Sequence, residues 1–110
     1  MRVYLPLTLD SLHEANEAGE VPEHSERFAA EDESEEAEYA ALMTAADASA
    51  ELIGRRGRRV VLAADVVELA GAVRKKTWAA VHVDTEDDAD PDDDLAWFGI
   101  QEIPGLLEGR

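Results

Sequence analysis

Cysteine is absent from this 110-residue chain, and aromatic residues make up only 5% of it. Without cysteine there is no disulfide framework, no thiolate nucleophile and no cysteine-ligated zinc, a composition suited to a reducing compartment. Positive charge is scarce as well: 10 Lys plus Arg stand against 26 Asp plus Glu, a formal net charge of -16. Such a field repels anionic lipid and nucleic acid, and it argues against duplex DNA, whose affinity for proteins comes mainly from neutralised phosphates. Long apolar runs are also missing. The stretch from Val3 to Leu9 is interrupted by Pro6 and closed by Asp10, too short for the apolar region of a signal peptide. Val60 to Val73 contains Asp65 and Glu68 and falls short of the ~20 residues of a membrane helix. The expectation is a cytoplasmic protein with no membrane partner, folded as one domain over residues 1–110.

The charge that is present is unevenly placed. Residues 1–53 hold 14 acids and 2 bases, residues 54–83 hold 2 acids and 7 bases, and residues 84–110 hold 10 acids and 1 base. A basic centre between two acidic flanks implies that Arg55, Arg56, Arg58, Arg59, Arg74, Lys75 and Lys76 find counter-charges within the molecule or an identical neighbour.

Strand and helix signals alternate along the chain. Arg2 to Pro6 reads as a strand, followed by a helix capped by Thr8 or Asp10 and stopped at Gly19. Residues 20–34 form an acidic loop in which Arg27 to Ala30 has the character of a short edge strand. Ser34 to Ile53 is the strongest helical segment and ends at Gly54. Its stripe Ala37, Ala41, Ala45, Ala48, Leu52 is flanked by a second, Tyr39, Leu42, Ala46, Ile53, and so wide an apolar arc predicts packing on a sheet and against a second subunit. Arg59 to Asp65 reads as a central strand covered on both faces, Val66 to Ala70 as a helical turn, and Trp78 to Asp84 as another strand. Residues 85–94 form a second acidic loop, after which Asp94 caps a final helix carrying Leu95, Phe98, Ile103, Leu106 and Leu107. The pattern predicts a small α/β fold with a mostly parallel sheet of three to four strands packed with helices.

Four features bear on chemistry. Asp65 and Asp84 each end a strand, with His82 close before the second. In a parallel sheet these would converge on one crevice, fit for a divalent cation such as Mg²⁺ or for acid–base work, although an aspartate after a strand is also a common helix cap. The run Asp88 to Asp94 suggests a calcium loop, yet the positions that require Gly and a bidentate Glu are Asp93 and Gly99. Ile53 to Val60 contains Gly-Arg-Arg-Gly, similar to the backbone-clamping loop of KH domains, but strand character follows it where a KH domain has a helix. Lastly, Tyr39 and Trp97, with Glu38, Gln101 and Glu102, are candidates to line a pocket or anchor a partner.

The segments Met1-Arg2-Val3-Tyr4-Leu5-Pro6, Glu35 to Ser49, Val60 to Val66, Ala79-Ala80-Val81-His82-Val83-Asp84 and Trp97 to Pro104 occur in the order found in an uncharacterised family of small acidic actinobacterial proteins, which the chain resembles as a compact version. That resemblance implies a cytoplasmic bacterial protein of unknown function and transfers no catalytic residue. The resulting expectation is an interaction or regulatory protein without catalytic activity or cofactor. Its partners would be a second copy, bound through Tyr39, Leu42, Ala46 and Ile53, or another protein, with Glu38 and Trp97 as pocket residues. The rivals are a metal-dependent enzyme or ligand binder using Asp65, His82 and Asp84, a KH-like binder, and an acidic mimic of nucleic acid built from residues 20–38 and 84–94.

Overall fold

The structure is a computed structural model and describes residues 1–54 and 57–108. The chain runs β1 (Arg2–Leu7), α1 (Leu9–Ala18), β2 (Glu20–Val21), β3 (Phe28–Ala29), α2 (Glu35–Ile53), β4 (Val60–Asp65), β5 (Val73–Arg74), β6 (Trp78–Val83), β7 (Ala96–Phe98) and α3 (Ile103–Glu108), with 3-10 turns at Lys75–Thr77 and Ile100–Glu102.

Local chemistry accounts for the helix ends. Thr8 opens α1 with a reciprocal cap, its Oγ1 accepting from the Ser11 N–H at 3.0 Å while Ser11 Oγ accepts from the Thr8 N–H at 2.8 Å. Gly19 closes the helix at φ 81°, a left-handed conformation that glycine enters without steric cost. Ser34 caps α2, and Glu35, Glu36 and Glu38 place negative charge at the positive end of its dipole.

Five strands form one sheet in the order β3-β1-β4-β6-β7, and β2 pairs with β5 in a separate ribbon. Every neighbouring pair is antiparallel, which overturns the mostly parallel sheet expected from the sequence. The continuous apolar run of β4 reports burial on both faces, and helices supply that burial whatever the direction of the adjacent strands. The extra strands are two or three residues long, below the length at which periodicity speaks. Thus β7 occupies part of the segment expected as a final helix, and only Ile103–Glu108 of that segment is α-helical, beginning one residue before Pro104, where the ring removes no needed hydrogen bond. Residues 66–70 make no helical turn.

Alternation along the strands divides the core in two. Val3, Leu5, Leu7, Val60, Leu62, Val81 and Val83 pack with Leu12 and Ala15 of α1, Ile103 of α3, and Val21 and Val73 of the ribbon. On the other face Tyr4, Val61 and Ala63 meet Ala41, Ala45 and Ala46 of α2, with Leu95 inserted beside them. The small alanines on the α2 side let the helix pack closely on the sheet. Ser49 fastens it there: fully buried, its Oγ donates to Leu7 O at 2.6 Å and accepts from the Val60 N–H at 2.9 Å. Ser49→Ala orphans both backbone groups, and a loss of about 1–2 kcal/mol in urea-unfolding free energy is expected. No helix among the described residues is long and apolar enough to cross a membrane.

Candidate interaction surface

The antiparallel sheet decides the fate of the strand-end carboxylates. β4 and β6 run in opposite directions, so their carboxyl ends lie at opposite ends of the sheet: Asp65 is in register with Arg2, whereas Val83, just before Asp84, is in register with Val60. Those two register rows are separated by the length of β4, roughly 17 Å at about 3.4 Å per residue. Asp65 and Asp84 therefore do not converge, and the crevice anticipated from a parallel sheet is absent. Among the described residues no three His, Asp or Glu side chains come together as metal ligands.

Each carboxylate has an arginine instead. Arg2 Nε and Nη2 donate to Asp65 Oδ1 and Oδ2 at 2.7 and 3.1 Å, and this side-by-side pairing holds the Asp65 carboxyl below the usual carboxylate range. The second pair is buried. Asp84 accepts from Arg59 Nε at 2.8 Å, Nη2 at 2.9 Å and backbone N–H at 2.9 Å. The remaining guanidinium hydrogens reach the carbonyls of Pro91 at 3.1 Å, Asp93 at 2.9 Å and Asp90 at 3.3 Å. The segment that suggested a calcium loop is thus folded around a cation, but the cation is the Arg59 guanidinium. Arg58 adds an exposed ion pair with Asp87 at 3.5 Å. The expected pairing of the basic centre with its acidic flanks holds at Arg58 and Arg59 and not at Arg74, Lys75 and Lys76, which make no ion pair among the described residues; Arg55 and Arg56 lie outside the described residues. The connection from Ile53 to Val60 joins a helix to a strand, unlike the helix-to-helix loop of a KH domain.

His82 sits on the α2 side of the sheet, in register with Val61 on one neighbour and Trp97 on the other, its ring centroid 6.5 Å from that of Tyr4. Burial, helped by the charge of Arg2, pushes its imidazole pKa down. A depressed histidine pKa stabilises the fold above the unfolded-state value of about 6.5 and withdraws that support as pH falls through the folded-state value. His82→Gln should therefore lose less stability than wild type between pH 7.5 and pH 5, read as the difference in urea midpoints so that carboxylate titration common to both proteins cancels.

Beyond His82 the sheet is open. α2 packs on β1, β4 and β3, whereas on β7 Trp97 is left 63% exposed. Tyr39, 50% exposed in the first turns of α2, donates its Oη proton to Asp94 Oδ1 at 2.7 Å, and this bond raises the phenol pKa, with Asp92 and Asp94 charge adding to it. The hydrogen bond brings the acidic start of α2 against the acidic loop that precedes β7. On the opposite flank, an open cleft of about 510 Å³ is lined by Arg2, Glu31, Asp32, Glu33, Glu38 and Asp65. Glu38 lines that cleft and Trp97 does not. Of the residues expected at a subunit interface, Tyr39 is exposed, Leu42 and Ile53 are half-buried, and Ala46 is fully enclosed within the chain.

The sequence signalled that Arg59 needs an acidic partner but not that the partner is Asp84, 25 residues away, and the role of Ser49, which bonds Leu7 and Val60 at separations of 42 and 11 residues, carried no signal. Arg27 did carry one: it is the single base between Arg2 and Gly54. Its guanidinium donates to the carbonyls of Leu69 at 2.9 Å, Gly71 at 2.6 Å, Ser25 at 3.2 Å, Pro22 at 3.2 Å and Glu23 at 3.1 Å.

Fold and surface together define an antiparallel α/β sandwich with one acidic, aromatic half-face left uncovered. The chain belongs to a family of unknown function, DUF6912, which it matches over residues 1–107. No curated protein and no solved structure matches it significantly.

Proposed function

We propose that the chain is a cytoplasmic interaction module that holds a cationic protein segment on the half-face marked by Tyr39 and Trp97. The observation that carries this reading is the Tyr39–Asp94 hydrogen bond, which joins two acidic segments beside aromatic side chains at least half exposed. Trp and Tyr are the side chains most often found as interface anchors. An exposed ring with carboxylates around it suits a Lys or Arg: the ring face attracts the cation by about 0.5–1 kcal/mol, more when desolvated, and the acidic field speeds encounter. The lack of cysteine agrees with a cytoplasmic setting.

The junction of the acidic segments also favours a second reading, an acidic mimic that occupies a nucleic-acid-binding protein. A mimic works through its carboxylates alone, whereas the module uses the indole. Calorimetric titration with octa-arginine separates them. Trp97→Ala is expected to weaken binding about tenfold, a loss of about 1.4 kcal/mol, and Asp92→Asn/Asp94→Asn to flatten its salt dependence. Unchanged affinity in Trp97→Ala would sink the module reading.

A further inference from the structure

The loop after β4 presents the opposite chemistry. Val67 is 96% exposed and Leu69 46% exposed, and Arg74, Lys75 and Lys76 follow on the surface. Among the described residues no ion pair engages these three cations; Lys75 lies 5.9 Å from the centroid of the Trp78 ring. Residues 66–76 hold three bases and one acid, Glu68, in a chain of net charge -16.

This apolar tip is held in place rather than loosely tethered. Val66 exchanges two hydrogen bonds with Met1, its N–H donating to Met1 O and its carbonyl accepting from the N-terminal ammonium, both at 2.9 Å. Arg27 grips Leu69 and Gly71 by their carbonyls, and β5 is paired to β2. An apolar tip fixed in advance loses little conformational entropy on docking. Alongside it lies an open cleft of about 220 Å³ lined by Val66, Val67, Glu68, Ala70, Val73 and Arg74 among others.

We infer that the occupant of the acidic aromatic half-face is this cationic, apolar loop of a second copy, so that the chain associates head to tail. The inference rests on the proposed function of that half-face and names its partner. Charge complementarity carries it: the loop supplies exposed cations and aliphatic surface, and the half-face supplies carboxylates and exposed rings. The overall repulsion between chains of charge -16 is screened beyond about 8 Å at physiological salt, so local complementarity governs the contact. The two patches are different surfaces on different elements, which makes the contact heterologous; such contacts extend to open chains or close into rings and do not stop at a symmetric pair.

Sedimentation velocity at ~0.15 M salt tests this with two variants at exposed positions. Wild type should exceed its 12.0 kDa monomer mass increasingly with concentration. Val67→Asp/Lys76→Glu, which spoils the loop, and Trp97→Ala, which spoils the half-face, should each remain monomeric. Mixed one to one they should form a discrete heterodimer, because each retains the patch the other lacks. A wild type monomeric at millimolar concentration, or a mixture that fails to pair while wild type associates, overturns head-to-tail association. So does monomeric wild type whose loop binds phosphatidylglycerol vesicles in a Val67-dependent way. Octa-arginine titration keeps the two ideas apart: monomeric wild type that binds octa-arginine through Trp97 loses only this inference, whereas Trp97-independent binding removes the reading beneath it.

Discussion

Arg59→Leu is expected to destabilise the protein by about 3–5 kcal/mol, because it leaves the Asp84 carboxylate enclosed without its counter-charge. Asp84 is 3% exposed and Arg59 4% exposed, so water cannot readily replace the lost donors. The substitution also frees the carbonyls of Asp90, Pro91 and Asp93 from their shared donor, and backbone amides of residues 85–94 should lose hydrogen-exchange protection ahead of the sheet. Arg59→Lys keeps the charge but not the planar fork that serves a carboxylate and three carbonyls together, so it should fall between wild type and Arg59→Leu. Replacing both partners, Arg59→Leu/Asp84→Leu, should recover much of the loss, since the cost comes from the uncompensated charge. If Arg59→Leu unfolds at the wild-type urea midpoint, the clasp does not hold the loop.

Ala46→Leu should cost about 3 kcal/mol by overpacking the space between α2 and the sheet. Ala46 and Ala45 are both 0% exposed and pack in one cluster with Val61, Ala63 and Tyr4, leaving no room for three further carbon atoms unless α2 shifts. The measurement distinguishes two uses of the same stripe. An alanine at a subunit contact would change the association constant and leave monomer stability untouched. An alanine pressed on its own sheet changes the unfolding free energy at every concentration, and that outcome is expected here. Unfolding of Ala46→Leu that matches wild type would show that α2 stands further from the sheet than the geometry requires.

Much of the architecture was legible in the residues. Thr8, Gly19, Ser34 and Gly54 mark the ends of the two main helices, and the apolar runs around Val60 and Val81 mark strands that the structure places in the middle of the sheet. These signals are local, so a few adjacent side chains suffice to produce them. The candidate site was only partly legible. Tyr39 and Trp97 stood out because aromatics are few, but exposure cannot be read from scarcity. Asp65 and Asp84 drew attention as a pair on the premise of parallel strands, and that premise failed.

By itself the sequence determined where helices start and stop, which runs are apolar enough to be buried on both faces, and that a basic centre needs acidic partners. Tertiary structure alone decided the direction of each strand, the burial of Ala46 and the exposure of Trp97. It also decided which aspartate meets Arg59 and which meets Arg2. The physical reason is range. Helix caps and side-chain periodicity act over a few residues, whereas strand polarity and buried ion pairs depend on how distant segments return to one another, here across 25 residues for Arg59 and Asp84 and 63 for Arg2 and Asp65.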